Sequence, residues 1–202
     1  MNAPLAIDDP VEPWVPAIPT LDVSRRLRSE LRAAESEAAH LKAELTRALE
    51  LADRDPLTGL YNRRAFEREL NRTLASCRRY GTGAALVYLD LDGFKAVNDR
   101  RGHAAGDEVL KTVAEVLLSG VRQSDTVARL GGDEFGVLLD RATRSAADIK
   151  AKVLGAGITA ATHGAVGASF GIRTYETGLT PEQMLAEADA AMFVRKGERK
   201  RA

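Results

Sequence analysis

The sequence has little that could cross-link the chain or attach it to a membrane. Among its 202 residues Cys77 is the only cysteine, which excludes an internal disulfide, and no cysteine and histidine cluster has zinc-site spacing. The 29 Lys and Arg residues balance 29 Asp and Glu residues, so the chain lacks the net charge of a protein whose whole surface binds nucleic acid or an acidic membrane. The longest apolar run in the middle of the chain, residues 84–89, is too short to span a bilayer, and the N-terminus carries acids where a signal peptide needs positive charge. We therefore expect a cytoplasmic protein with no membrane insertion and no nucleic-acid partner.

The first 20 residues differ in composition from the rest of the chain. They hold five of the seven prolines, three acids and no Lys or Arg, and Trp14 is their only aromatic residue. This composition predicts a disordered tail over residues 1–20. The alternative is a peptide that docks a regulatory protein partner through Trp14.

A heptad pattern follows the tail. From Asp22 to Ala52 there is no glycine or proline, and apolar residues recur at alternating spacings of four and three. This pattern predicts a helical coiled coil over residues 21–53 that joins two chains as a parallel homodimer. The positions of the repeat are Leu27, Leu31, Ala34, Ala38, Leu41, Leu45, Ala48 and Ala52. Half of them are alanine, so the helix could instead lie singly on a partner protein.

The remaining segment, residues 54–202, alternates between helix and strand patterns and predicts one further domain. Asn62 is placed to cap a helix that carries Phe66, Leu70, Leu74 and Cys77 on one face. The later segments predict a strand over 84–92, a helix over 106–120, strands over 126–130 and 134–139 joined by a turn at Gly131 and Gly132, a helix near 145–154, a strand within 166–175 and a helix over 181–194. The order βαββαβ with a closing helix is typical of an α+β, ferredoxin-like sheet with helices on one face.

Two pairs of acids stand at the ends of predicted strands. Asp90 and Asp92 end an apolar strand, and Asp133 and Glu134 follow the glycine pair. If the strands are neighbours, the carboxylates converge, and mutually repelling oxygens are stable mainly when Mg²⁺ or Mn²⁺ binds between them. Because Mg²⁺ keeps substrate phosphates in its coordination shell, phosphoryl or nucleotidyl transfer is the reaction class that these acids indicate.

Four motifs together resemble one protein family. The segment RLGGDEF (129–135) resembles the signature of the GGDEF family of diguanylate cyclases, and three further segments agree with that family in order and spacing, at 55–64, 89–110 and 188–196. The resemblance covers roughly residues 53–200. It implies the palm fold of nucleotide cyclases and an enzyme that joins two GTP molecules into cyclic di-GMP.

The resemblance also implies roles for individual residues. The metal ligands would be Asp90, Asp133 and the backbone carbonyl of Leu91, with two Mg²⁺ or Mn²⁺ ions per active site. Asp133 is the first choice for the general base and Glu134 the second, and Lys95 could stabilise charge on the reacting phosphorus. The implied substrate contacts are Phe94, Asn98, His103, Asp107, Gly131, Gly132, Lys196 and Lys200.

Among these contacts, Asn98 and Asp107 match the pair that recognises guanine. The Asp107 carboxylate can accept hydrogen bonds from guanine N1–H and N2–H₂, whereas adenine offers neither donor at those positions. Arg122 and Asp125 resemble the family's product-inhibition site, where an arginine binds cyclic di-GMP.

Two other hypotheses compete with the enzyme. One is an idle module that binds cyclic di-GMP or GTP without catalysis, and the other is a coiled-coil scaffold with a passenger domain. The complete set of acids favours the enzyme, because an idle site has no physical reason to keep mutually repelling carboxylates together.

Overall fold

The computed structural model describes residues 20–199, without the side chains of residues 20–22, 48–51 and 198–199. The predicted tail with Trp14 therefore lies outside the described residues, as does Lys200. The chain divides into two compact units between Ala48 and Leu49. None of the helices within residues 20–199 combines the length and the apolar character that crossing a bilayer requires.

The first helix, α1, spans Thr20–Ala52 and confirms the predicted helical segment. Residues 23–47 are all exposed, and Leu27, Leu31, Leu41 and Leu45 each leave more than half of their surface accessible. Full burial of one leucine side chain would contribute about 2 kcal/mol.

The second unit is built on a five-stranded sheet. Its elements are β1 (Tyr61–Asn62), α2 (Arg63–Tyr80), β2 (Ala84–Asp92), α3 (Phe94–Arg101), α4 (His103–Ser119), β3 (Thr126–Gly131), β4 (Glu134–Asp140), α5 (Arg144–Ala161), β5 (Gly167–Thr174) and α6 (Pro181–Arg199). The strand order is β1-β3-β4-β2-β5, with β1 parallel to β3 and every other pair antiparallel. Without the two-residue β1 this is the ferredoxin-like arrangement, so the predicted fold class is confirmed.

Helices cover both faces of the sheet, and the expectation of helices on one face is wrong. Alternate residues of β2 enter two separate cores: Val87 and Leu89 pack with α4 and α5, whereas Leu86 and Tyr88 pack with α2 and α6. The physical reason is that β2 is apolar at almost every position. Such a strand needs a cover on each side of the sheet, as strands at the centre of α/β sheets do.

Most predicted elements are present, with boundaries that differ. Asn62 caps α2 by accepting a hydrogen bond from Ala65 N (3.0 Å), and Cys77 is buried in the core as expected. Helix α5 is longer than predicted, and the sequence reading missed α3, which buries only Val97 and so shows no helical stripe of apolar residues.

The glycine turn is shifted by one residue from the prediction. Gly131 pairs with Glu134, so the two residues between the strands are Gly132 and Asp133, and an irregularity lies between Arg129 and Gly131. The extra residue of such a bulge changes which side chain the turn presents. Asp133 therefore lies in the turn itself, beside the end of β2.

Candidate active site

The acids of both motifs meet at the end of β2, as the sequence predicts. Asp90 pairs with Glu134 on one side and with Ser169 of β5 on the other, and the Leu91 N–H donates to the Asp133 carbonyl (3.2 Å). Backbone pairing thus holds the Asp133 turn against β2. We call Asp90, Asp92, Asp133 and Glu134 the acidic site.

Lys196 of α6 is the counterion of Asp90. Its ammonium donates to Asp90 Oδ1, and the two side chains are only 26% and 14% exposed. Burial raises the pKa of the Asp90 carboxyl above its ordinary value, and the charges of Asp133 and Asp92 add to this rise, while Lys196 opposes it. Burial would lower the pKa of Lys196, but the hydrogen bond and charge of Asp90 raise it instead. Lys196 and Asp90 therefore form an ion pair that is largely shielded from solvent and lies close to other acids.

A glycine in β5 brings Lys196 to this position. A Cβ atom built on Gly171 would lie 1.8 Å from the carbonyl oxygen of Ala188 and 2.4 Å from the backbone nitrogen of Met192, both in α6. Only glycine permits so close an approach of helix and sheet. The last turns of α6 consequently pass over the strand end that carries Asp90.

Asp92 is held by a buried hydroxyl. Ser169 Oγ, in a residue only 2% exposed, lies 2.9 Å from each carboxylate oxygen of Asp92. The sequence reading placed Asp92 among the acids but did not identify Ser169. The only sequence signal for Ser169 is that it is a small polar residue within an apolar run.

Arg129 ties two of the sequence motifs together. Its guanidinium donates to the Gly132 carbonyl through Nε (3.0 Å) and Nη2 (2.8 Å), and it pairs with Asp55 at 3.2 Å. Thr58 donates to the same carboxylate through its backbone N–H and its hydroxyl. Burial works against the charge of Asp55, yet the hydrogen bonds from Thr58 and Arg129 hold its pKa below the ordinary value. Both motifs were identified in the sequence, but the contact between them was not predicted.

Glu134 has a phenolic neighbour. Tyr88 lies two residues before Asp90 and is 3% exposed; burial, followed by the charge and hydrogen bonding of Glu134, raises the pKa of Tyr88 well above its ordinary range. Arg63 approaches the Tyr88 hydroxyl at 3.5 Å and donates to the Leu130 carbonyl at 3.2 Å. The sequence did not predict this group of residues beside the acidic site.

A second polar region lies on the consecutive helices α3 and α4. Asn98 is on α3, and His103 and Asp107 are exposed in the first turns of α4; we call these three residues the α3–α4 site. Within residues 20–199 the amide oxygen of Asn98 is buried and accepts no hydrogen bond. A Cβ atom on Gly106 would lie 2.0 Å from that oxygen, so the space beside it exists because residue 106 has no side chain. A buried polar atom without a partner costs about 1–3 kcal/mol unless a ligand pairs with it.

The other predicted contacts are distributed around these two sites. Phe94 and the exposed Lys95 are the first residues of α3, which follows directly after the acidic end of β2, and Gly131 and Gly132 flank Asp133.

The predicted product site occupies the turn between α4 and β3. Asp125 accepts hydrogen bonds from the backbone N–H groups of Arg122 (2.9 Å) and Asp140 (3.2 Å). Its carboxylate therefore shapes the turn, and Arg122 is exposed beside it.

The acidic site has the chemistry of a site for a divalent cation. Its donors are carboxylate oxygens, and their crowding and burial call for positive charge, which Lys196 supplies here. Among the described residues 20–199, no three His, Cys, Asp or Glu side chains already stand in a metal-binding arrangement. The residues fit a metal ion in type and charge, with Lys196 at the carboxylate that would bind it.

Known proteins resemble the chain in sequence. A family model described as "Diguanylate cyclase, GGDEF domain" matches residues 52–202. The probable diguanylate cyclase DgcE of Escherichia coli (strain K12) is 41% identical over 152 residues, which are 72% of this chain and 14% of that protein. The diguanylate cyclase TpbB of Pseudomonas aeruginosa is 40% identical over 174 residues, 80% of this chain and 39% of that protein. The chain thus spans less than half the length of these relatives.

Solved structures resemble the chain as well. The coiled coil and GGDEF domain of DgcB from Caulobacter crescentus, in complex with c-di-GMP, superposes with a TM-score of 0.76 at 29% identity and covers 85% of this chain and 95% of that one. The diguanylate cyclase SiaD of Pseudomonas aeruginosa, in complex with its activator SiaC, gives 0.68 at 32% identity and covers 89% and 74%. Because the family model matches well over half of the chain, the chain belongs to the GGDEF-domain family of diguanylate cyclases.

Proposed function

We propose that the protein is a diguanylate cyclase, which converts two GTP molecules into cyclic di-GMP and two pyrophosphates. The observation that carries this proposal is the convergence of Asp90 and Asp133 at the end of β2, where backbone pairing of Leu91 holds the turn against the strand. Family membership supports the same reaction. The predicted boundaries at residues 1–20, 21–53 and 54–202 and the cytoplasmic location stay predictions.

Asp90, Asp133 and the Leu91 carbonyl would hold two Mg²⁺ or Mn²⁺ ions. Bound there, the ions would supply Lewis acidity at the α-phosphate and lower the pKa of the attacking 3′-hydroxyl. Lys95 and Lys196 would contact the triphosphate, with Lys200 as a further candidate. Phe94, Gly131 and Gly132 bring backbone N–H groups to the same region, where they can donate to phosphate oxygens.

The proton of the 3′-hydroxyl needs an acceptor. Asp133, in the turn beside β2, is the first choice, and Glu134 is the second. The reaction then proceeds by attack of the 3′-oxygen of one GTP on the α-phosphorus of the other, with pyrophosphate leaving in line, and a second such attack in the opposite direction closes the ring and releases the second pyrophosphate.

The α3–α4 site would select guanine over adenine. The amide oxygen of Asn98, which accepts no hydrogen bond within the described residues, and the exposed carboxylate of Asp107 can accept from the donors on the edge of guanine. Adenine lacks the N1–H and N2–H₂ donors, so it would leave protein acceptors without partners. Sites that hydrogen-bond a substrate group reject analogues without it strongly, by about 10⁴-fold in favourable cases.

Catalysis requires two domains, since each holds one GTP. The exposed leucines of α1 support a parallel coiled-coil homodimer that tethers the two halves. A tether between the two halves raises the effective concentration of one half beside the other, to about millimolar where the link is short and flexible. A regulatory protein could act through the same helix or the tail.

Product would bind at Arg122 and Asp125 and inhibit the enzyme. Asp125 fixes the turn, and the exposed guanidinium of Arg122 is free to make a bidentate contact with a guanine edge or a phosphate.

The deciding experiment is incubation of the purified full chain with GTP and Mg²⁺, with the product identified by mass spectrometry. We expect cyclic di-GMP from GTP, no cyclic di-AMP from ATP, and slower formation of cyclic di-GMP when this product is added beforehand. Asp133→Asn is the matched inactive control. If the protein, stripped of bound nucleotide, makes no cyclic di-GMP but binds it or GTP, the idle binding module is the correct alternative.

A further inference from the structure

Lys196 and a metal ion would compete for the same oxygen. The Lys196 ammonium donates to Oδ1 of Asp90, the carboxylate that the proposed function assigns to the metal. The charges of Asp92 and Asp133 also act on this ammonium. A divalent cation at Asp90 would repel the lysine, so the two cannot share the site at close range.

We propose that Lys196 is an exchangeable counterion: it neutralises Asp90 while no metal is bound, and it passes to the substrate's phosphates when a divalent cation takes the carboxylate. The inference rests on the proposed function, because it requires Asp90 to be a metal ligand.

The backbone around Lys196 is anchored, whereas a lysine side chain is flexible enough for such an exchange. The preceding turn of α6 is anchored by the buried Met192 and by the close contact at Gly171, and Arg195 reaches the Phe170 carbonyl at 3.5 Å. Lysine has a flexible four-carbon stem and a compact charge, so its ammonium can move several ångströms while the helix stays in place. The negative charge at Asp90 is then compensated in both states.

The exchange predicts opposite effects on two ligands. A metal ion alone must displace Lys196, so the lysine weakens its binding. A metal–nucleotide complex brings phosphate oxygens that the released ammonium can contact, so the lysine strengthens its binding. A lysine that only contacts phosphate would have no effect on the metal alone.

The experiment uses Lys196→Met in the full-length protein. We expect Mn²⁺ alone, followed by electron paramagnetic resonance of the free ion, to bind with a Kd about three- to tenfold lower than in the wild type. We expect the α,β-methylene analogue of GTP with Mg²⁺, followed by calorimetry, to bind about tenfold more weakly. Lys196→Arg keeps a cation at Asp90 and should bind Mn²⁺ no more tightly than the wild type.

Arg78→Met is the matched charge control. Arg78 is exposed in the last turn of α2, just before β2 begins, whereas Asp90 lies near the end of β2. Its removal should leave both dissociation constants within about twofold. Thermal unfolding with and without Mn²⁺ checks that each variant is folded, and Lys196→Met should gain more stability from the metal than the wild type does.

Two results would overturn the exchange. If Lys196→Met binds Mn²⁺ no more tightly than the wild type, the lysine does not compete with the metal, while cyclic di-GMP synthesis by the wild type would leave the proposed function intact. If neither protein binds Mn²⁺ and no cyclic di-GMP forms from GTP, the metal site fails and both proposals fail with it.

Discussion

The acidic site and the α3–α4 site meet the cost of burying polar groups in opposite ways. At the acidic site two of the carboxylates have hydrogen-bond partners within the protein, Lys196 for Asp90 and Ser169 for Asp92, and the backbone carbonyl of Asp133 accepts from Leu91. At the α3–α4 site the Asn98 oxygen is buried and accepts nothing within the described residues. A ligand at the first site must exchange contacts, whereas a ligand at the second adds contacts that are missing.

This difference indicates how one domain can separate catalysis at the acidic site from base recognition at the α3–α4 site. Charged groups that repel one another must be compensated at all times, or they would destabilise the fold. A neutral amide oxygen can lack a hydrogen-bond donor in the protein without ligand at a cost of only about 1–3 kcal/mol. Substitutions at the two sites should therefore change different kinetic constants.

The largest effect is expected from Asp90→Asn. An amide is a poor ligand for Mg²⁺ and removes the charge that draws the metal in, so kcat should fall by about 10³-fold or more. Synthesis of cyclic di-GMP from GTP, measured by chromatography, checks this. Asp140→Asn, at the other end of the same sheet, is the control and should keep at least half of the activity. Activity of Asp90→Asn near the wild-type level would show that the acidic site is not the catalytic one.

A smaller and different effect is expected from Gly106→Ala. The new Cβ would collide with the Asn98 oxygen and come within 3.2 Å of Phe94 Cζ, so the amide must move away from its position. We expect KM for GTP to rise about tenfold, by the loss of one substrate hydrogen bond, with kcat changed much less. Asn98→Ala should give a similar split. Equal losses in kcat for both variants would contradict the separation of recognition from chemistry.

The next effect concerns the stability that the contacts of Arg129 with Asp55 and Gly132 give to the turn beside the acidic site. Arg129→Met leaves the largely buried Asp55 carboxylate without its cation, and we expect the free energy of unfolding to fall by about 2–3 kcal/mol, measured in urea. Arg72→Met, which removes an arginine that is 75% exposed and pairs with Glu69 one turn away, is the comparison and should cost less.

The pH dependence of this stability has a definite sign. The pKa of Asp55 is lower in the folded protein than its ordinary value of 3.8. The stabilisation is thus present above that value and is lost as the pH falls through the lower pKa of the folded state. In Arg129→Met the free energy of unfolding should fall less steeply below pH 4 than in the wild type. If the two proteins show the same dependence on pH, the acid-induced loss of stability comes from other carboxylates.

Much of this arrangement was predictable, for physical reasons that differ between elements. The apolar run of β2 and the heptads of α1 are local patterns, and both elements have nearly the predicted bounds. The glycine turn was displaced by one residue, because a bulge near Arg129 depends on pairing between strands and not on the turn residues alone.

The contacts missed by the sequence reading all join distant segments. Arg129 with Asp55, Ser169 with Asp92, and Lys196 with Asp90 are separated by 74, 77 and 106 positions. A motif indicates that such residues belong to a site, but only the fold shows which of them pair. The two-sided core is a similar case, since the helix covering each face is set by chain topology.

The smallest effect, and the one that sharpens the acidic site most, is expected from Tyr88→Phe. The substitution keeps the ring in the core and removes only the hydroxyl, which lies beside Glu134 and which Arg63 approaches at 3.5 Å. If Asp133 is the general base, Glu134 only shapes the site, and kcat should fall by about threefold or less. If Glu134 is the base, loss of the neighbouring hydroxyl disturbs the proton acceptor itself, and kcat should fall by about tenfold or more. Glu134→Gln is the matched variant: its kcat should stay within about tenfold of wild type in the first case and fall by about 10²-fold or more in the second. Since Tyr88 touches neither metal ligand nor nucleotide in the proposed site, a tenfold or larger fall of kcat in Tyr88→Phe would assign the proton transfer to Glu134 and overturn the choice of Asp133.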